Sequence, residues 1–299
     1  MLFSTASRLR DRVRARTRHR VRSGLTAVLA AGLLTVSAAG APAAPSRIIG
    51  GSEVADDAYP FMAVLLHQRP GQNAYPKQYC GGTLIHRSWV LTAAHCVEGW
   101  QTEGDFDVIV GRTQLSDTHK GHFRHHTPDV RIHPLYRPDE DDYDVAVFRL
   151  DKPVYGVTPV RLPTRGTDAM FRPGQRATVL GWGLTDDVHP HKPDRLHSVD
   201  VPILARAECQ VSDGINTDTQ ICAGREGADA CDADSGGPLS RTVPGREEFY
   251  QIGVVQGGEG CAAQGGPGVY ISTGSARLFS TWPRYPLTNS GQEIPSRTS

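Results

Sequence analysis

Trp89-Val90-Leu91-Thr92-Ala93-Ala94-His95-Cys96 sets a short β-type run directly against a histidine and a cysteine. Aromatic and branched side chains of this kind suit a pleated, half-buried surface. Similar runs recur on both sides: Phe61–Leu66, Thr83–Ile85, Asp107–Val110 and Val145–Leu150 in the first half, and Ala177–Leu180, His197–Ile203, Ile252–Val255 and Gly268–Ile271 in the second. Turn residues separate them, in a chain of 299 residues with 32 Gly and 21 Pro. Short strands punctuated in this way predict an all-β sandwich or barrel. They argue against a helical bundle, whose element interiors Gly and Pro destabilise. The length suits one large or two small domains, and Pro153–Pro163 reads as a linker between two halves. A helical pattern is confined to Ser275–Trp282, where Pro283 stops it. Beyond it, Arg284–Ser299 is polar with Pro and Ser and reads as a disordered tail.

The formal net charge is zero, 32 Lys+Arg against 32 Asp+Glu, yet the charge is segregated. Eight arginines (Arg8, Arg10, Arg12, Arg14, Arg16, Arg18, Arg20 and Arg22) and one acid, Asp11, fall before Ser23, and no charged residue follows until after Ser46. A basic head, an apolar Ala-rich middle and a small-residue exit predict a secretory signal peptide, with cleavage after Ala43 in Ala41-Pro-Ala43. The apolar run, diluted by Thr26, Thr35 and Ser37, is shorter than the ~20 residues a membrane span needs. The arginines alternate with other residues, so there is no twin-arginine pair. Six cysteines remain, Cys80, Cys96, Cys209, Cys222, Cys231 and Cys261. An even number in an oxidising compartment suggests three disulfides, but spacing alone leaves the pairing open. No C-x-x-C pair suggests zinc.

Three local sequences carry chemistry: Leu91-Thr-Ala-Ala-His95-Cys96, Tyr143-Asp144-Val-Ala-Val147 and Cys231-Asp-Ala-Asp-Ser235-Gly-Gly-Pro238. A serine hydroxyl is a poor nucleophile until a base takes its proton, which calls for a histidine. A buried carboxylate then holds the imidazole in the right tautomer and stabilises its protonated form. A serine followed by glycines fits a tight, exposed turn whose N–H groups can point at a substrate oxygen. Each motif alone is weak: a lone histidine is usually structural, and Asp144 follows the acidic run Asp139–Asp142.

Taken together they resemble the trypsin/chymotrypsin family of serine endopeptidases over about Ile48–Trp282. The resemblance is carried by Arg47-Ile48-Ile-Gly-Gly51, Cys80-Gly-Gly-Thr-Leu-Ile85, Trp89 to Cys96, Asp144-Val-Ala-Val, Gly181-Trp182-Gly183, Asp234-Ser235-Gly-Gly-Pro and Pro267-Gly-Val-Tyr270, in the family's order and spacing. It implies two antiparallel six-stranded β-barrels with the active site between them, about 48–160 and 161–282, and a short C-terminal helix. A signal peptide (1–43) and a pro-segment (44–47) would precede them, and a tail (283–299) would follow. It implies His95 as general base, Asp144 as its orienting partner and Ser235 as nucleophile, with the N–H groups of Ala233 and Ser235 as oxyanion hole. The disulfides it implies are Cys80–Cys96, Cys209–Cys222 and Cys231–Cys261. Cleavage after Arg47 would free the amine of Ile48 to pair with Asp234, making the uncleaved chain a zymogen. Asp229 matches the acid at the base of the primary pocket, with Gly258 and Gly268 as walls, so the implied cut follows Arg or Lys.

The implied partners are protein or peptide substrates with Arg or Lys at the cut, an activating protease and protein protease inhibitors. No cofactor or metal, no nucleic acid and, after signal removal, no membrane is implied, and the enzyme would be a secreted, extracellular monomer. Three departures stand against the family pattern. Ala233 replaces a glycine, Gln256 and Gly257 replace a serine that supports the aspartate and an indole that walls the upstream subsites, and Asp232 sits at the pocket mouth. They keep open an alternative, an inactive homologue acting as a binding module. The segment Ser116–Thr127, with His119, His122, His125 and His126, reads as a solvated loop in preference to a metal site. Gly111–Thr127 has no glutamate, so no calcium site is expected there. Removing the signal and pro-segment leaves about eight more acids than bases, consistent with attraction to basic substrates.

Overall fold

The computed structural model describes residues 50–68, 74–75, 77–100, 105–140, 142–164, 167–185, 191–209, 214–243, 245, 248–258 and 266–282. Contacts divide the chain into Met1–Pro42 and Ala43–Ser299, and every described residue belongs to the second unit. The signal peptide, Arg47, Ile48, Cys261 and the tail all lie outside the described residues.

After the two-residue β1 (Ser52–Glu53), six strands follow: β2 (Met62–His67), β3 (Gln78–His86), β4 (Trp89–Thr92), β5 (Phe106–Val110), β6 (His122–Ile132) and β7 (Ala146–Leu150). They close into an antiparallel barrel in the order β2-β3-β4-β7-β6-β5. Closure removes every unpaired edge, and the strands bury Leu65, Leu84, Leu91, Ile109 and Phe148 almost completely. The second half contributes β8 (Arg176–Gly181), β9 (His197–Pro202), β10 (Gln220–Ala223), β11 (Pro238–Thr242), β12 (Phe249–Gly258) and β13 (Gly268–Ser272). With β1 they form an antiparallel sheet ordered β1-β9-β8-β11-β12-β13-β10. Ile203, just past β9, meets Ala223 of β10 through a single antiparallel bridge. The flanking bonds Leu204 N–H to Cys222 O (2.9 Å) and Gly224 N–H to Pro202 O (3.1 Å) complete the join. The second half is thus a seven-stranded sheet curled into a barrel-like form by a short seam beside β9 and β10, with β1 on its edge. A short helix, α1 (Ala276–Ser280), is capped by Ser275 Oγ, which accepts from Leu278 N at 3.0 Å.

One expectation is corrected. His122 to Thr127 are not a solvated loop but the first half of β6, paired with β5 through His122–Val110 and His125–Asp107. His126 is fully buried, stacked on Phe106 at 3.9 Å between ring centroids. Its Nδ1 pairs with Thr127 O and its Nε2 accepts from Asp105 N–H, each at 2.9 Å. An imidazole held at both nitrogens has no lone pair left for a metal, and the four histidines form no cluster of metal-ligating atoms among the described residues. The segment around Pro153–Pro163 runs from β7 toward the second half and is anchored on the first barrel. Val154 and Val160 are buried, and their N–H groups donate to Arg87 O (2.7 Å) and Leu84 O (2.9 Å) of the barrel.

Candidate active site

Strand register brings His95 and Asp144 together. Thr92 at the end of β4 pairs with Ala146 at the start of β7, so the residues leaving one strand and entering the other emerge at the same rim. There His95 Nδ1 lies 2.7 Å from Asp144 Oδ2, and the His95 backbone N–H donates to Asp144 Oδ1 at 2.9 Å. Asp144 is 4% exposed. A buried carboxylate accepting from Nδ1–H fixes the tautomer and leaves Nε2 with its lone pair. The Cys80–Cys96 disulfide ties this turn to β3. Cys80, His95 and Cys96 are the one metal-like cluster among the described residues, but the two sulfurs are joined to each other and offer no thiolate.

Ser235 reaches the same place from the other barrel, on the loop between β10 and β11. Its carbonyl accepts from Gly81 N at 2.8 Å, and Cys96 Sγ lies 3.6 Å both from that carbonyl and from His95 Nε2. Gly236 makes the approach possible. Its φ is +80°, and a Cβ there would run into Thr92 Oγ1 and the Gly81 carbonyl. Asp234 faces inward. It is fully buried, accepts from Gly183 N (2.8 Å) and Cys231 N (3.0 Å), and burial pushes its carboxyl up to about 7. No cation pairs with it among the described residues.

Asp229 lies on the same loop, 1% exposed. Gly268 pairs in register with both Ala223 of β10 and Gly258 of β12, so three strand ends converge around it. Asp229 Oδ1 accepts from Ala230 N (2.7 Å) and from Tyr270 OH (3.0 Å). A Cβ on Gly268 would sit 2.5 Å from Asp229 Oδ1, so only glycine leaves that carboxylate its place. Burial outweighs the donors and raises the Asp229 carboxyl to about 7. Residue reading missed Tyr270 as a partner of Asp229. The period-2 rule supplies the signal, since residues two apart on β13 share a face with Gly268.

The expected disulfides Cys80–Cys96 and Cys209–Cys222 are both present. Cys231 is disulfide-bonded as well, and its expected partner Cys261 lies outside the described residues.

The family model described as Trypsin matches residues 48–279. The chain belongs to the trypsin family. Curated relatives include trypsin of Saccharopolyspora erythraea, 37% identical over 231 residues, covering 76% of this chain and 94% of the relative. Vitamin K-dependent protein C of Mus musculus is 34% identical over 240 residues, covering 77% and 50%. Ovochymase of Halocynthia roretzi is 32% identical over 252 residues, covering 79% and 15%. The matched region therefore spans half the length of the mouse protein and a smaller part of ovochymase.

Against the trypsin-family pattern, the departures have physical content. Ala233 has φ +74°, the left-handed region in which a Cβ meets the following carbonyl. Ala233→Gly is expected to stabilise the protein by about 0.5–1 kcal/mol, since relief of the clash exceeds the entropy glycine adds to the unfolded chain. Urea denaturation checks it, and a midpoint that stays or falls would count against strain at this position. Gln256 does not reach Asp144. Its Oε1 accepts from Gln220 Nε2 at 3.0 Å, and the hydrogen bonds of Asp144 among the described residues both come from His95. A Cβ on Gly257 meets nothing within 4 Å, so the surface there is open. Asp232 is exposed, and its carbonyl accepts from Leu184 N at 2.9 Å.

Proposed function

We propose that this trypsin-family protein is a secreted serine endopeptidase that cuts after Arg or Lys and is made as a zymogen. The observation that carries it is the 2.7 Å His95–Asp144 hydrogen bond on one barrel, seated against the loop of the other barrel that bears Ser235. Ser235 Oγ attacks the scissile carbonyl while His95 Nε2 takes its proton. Asp144 keeps Nδ1–H aligned and stabilises the imidazolium. The N–H groups of Ala233 and Ser235 receive the oxyanion, and His95 returns the proton to the leaving amine. Water then repeats the sequence on the acyl-enzyme. Activity should fall as pH drops and His95 takes up a proton, since the protonated imidazole cannot act as the base.

Arg/Lys preference is supported by Asp229, a buried carboxylate behind Gly258 and Gly268 that a cation would satisfy. Secretion is supported by the basic head and apolar middle before Ala43. Zymogen activation is supported by Asp234, whose buried carboxyl has backbone donors but lacks a cation among the described residues. Cleavage after Arg47 would supply the Ile48 amine. Pairing raises an amine's pKa above about 7.7–8, so that stabilisation is complete below this range and is lost as pH climbs through the folded value.

The decisive measurement compares kcat/KM for Arg, Lys and Phe amide substrates on protein with a confirmed Ile48 terminus. Arg and Lys should be cleaved and Phe poorly. Arg47→Gln should stay uncleaved and at least about 100-fold less active, in proportion to the small population with an ordered Ser235 loop. Full activity in Arg47→Gln would sink the zymogen reading. The strain at Ala233 favours one second reading, an inactive homologue that uses the same cleft for binding.

A further inference from the structure

With Gln256 turned to Gln220, Asp144 has no donor from β12, and what fixes its own position lies in its neighbours. Asp142, half-buried, sits two residues before it on the first barrel. Its Oδ2 accepts from Asn216 Nδ2 at 2.6 Å, and its Oδ1 accepts from Thr219 Oγ1 and, at 2.8 Å, from Tyr143 N–H. Asn216 and Thr219 lead into β10 of the second barrel, so the contact crosses between the halves of the molecule. Tyr143, between the two aspartates, has φ +56°. A residue with a bulky side chain keeps that conformation only where its surroundings over-determine it. Here the ring stacks on His133 at 4.6 Å, and the hydroxyl accepts from Arg277 Nε at 2.9 Å.

The crossing continues to the pocket wall. Gln220 Oε1 accepts from Asn216 N at 2.7 Å, while Gln220 Nε2 donates to Gln256, next to Gly257 and Gly258. We propose that Asp142 is a positioning residue for Asp144: clasped by Asn216 and Thr219, it fixes the backbone that presents Asp144 to His95 and links it to the Gln220–Gln256 wall. The inference rests on the endopeptidase reading above and adds to it a support from the opposite barrel, in place of one from β12.

The test uses cleaved protein with active sites counted by titration. Asp142→Ala should lower kcat about 10- to 100-fold with KM within about twofold, the cost of misplacing a group by about an ångström. The acid limb of the kcat profile should move to lower pH, because a displaced Asp144 stabilises the imidazolium less. Asp142→Asn, which keeps one acceptor, should recover part of the loss. Thr219→Val should reproduce a smaller one, and the Asp142→Ala/Thr219→Val pair should be no worse than Asp142→Ala alone, because the two side chains act through one contact. An unchanged kcat and pH profile per titrated site, with only the melting temperature lowered, would overturn the clasp. If Asp142→Ala does not fold, Asp142→Asn and Thr219→Val make the same comparison. A wild-type protein inert to a fluorophosphonate probe would instead sink the endopeptidase reading. In that case the His95 Nδ1–H proton resonance decides: loss or broadening in Asp142→Asn supports the clasp, and an unchanged signal overturns it.

Discussion

Asp229→Ser is expected to lower kcat/KM for Arg and Lys amide substrates by about 10⁴-fold, the discrimination available to a site built around a buried polar partner. The Phe amide should change by less than about tenfold, because no charge of its own depends on the pocket floor. The reason lies in how the carboxylate is held. Asp229 is 1% exposed and receives donors from Ala230 N, Tyr270 OH and the Gly268 backbone. Burial outweighs these donors, so a guanidinium or ammonium entering the pocket would stabilise the charged carboxylate. Serine fills less volume and carries no charge, and a cation placed against it would be buried unpaired. Equal Arg, Lys and Phe losses would show that the substitution disturbed the Ser235 loop and that Asp229 does not select the residue before the cut.

The same carboxylate predicts a pH signature. Burial raises its pKa to about 7 with the pocket empty, so protons compete with the substrate cation below that value. KM for an Arg substrate should therefore rise as pH falls through about 7, while KM for Phe stays flat. Asp229→Ser should abolish that limb and leave the kcat limb of His95 in place. The raised value also sets a sign for stability. Between about 4 and 7 the folded state holds a proton that the unfolded state has released, so Asp229 makes stability decline as pH rises across that window.

Much of this was legible in the sequence for a physical reason. Trp89–Thr92 is a strand with the bounds its residues suggest, because every side chain in it is buried and apolar or β-branched. β6 was not legible. Its run His122-Phe-Arg-His-His-Thr is polar on both faces, and its buried member, His126, is satisfied by hydrogen bonds that only folding assembles. β10 and β11 are short, β11 opening on Pro238, where a missing N–H costs the ladder least. The site divides in the same way. His95, Asp144, Ser235 and Asp229 stand in recognisable local motifs. Asp142 reads from the sequence only as the end of an acidic run, and its partners Asn216 and Thr219 lie more than seventy residues away. A contact between two loops of different barrels leaves no periodicity to read.

Ser235→Ala is expected to reduce kcat by about 10⁶-fold, as when the nucleophile of a serine–histidine–aspartate unit is removed. It should also abolish covalent labelling by a fluorophosphonate probe. The geometry permits a clean test, because the Ser235 loop is held through its backbone: Gly81 N donates to Ser235 O (2.8 Å), Gly236 N to Val255 O (2.8 Å) and Gly237 N to Asp234 O (2.8 Å). None of these bonds uses the hydroxyl, so alanine should leave the fold and the pocket intact and inhibitor binding through Asp229 measurable. This separates enzyme from binding module. An enzyme loses turnover and labelling together and keeps affinity for an Arg-bearing inhibitor. A homologue whose strained Ala233 has spoiled the oxyanion hole is unlabelled before the substitution, and Ser235→Ala changes nothing. In that second outcome Ala233→Gly becomes the informative partner. A lost oxyanion donor costs about 10²–10³ in rate, and labelling that appears in Ala233→Gly and disappears again in Ala233→Gly/Ser235→Ala would locate the defect in that one backbone angle.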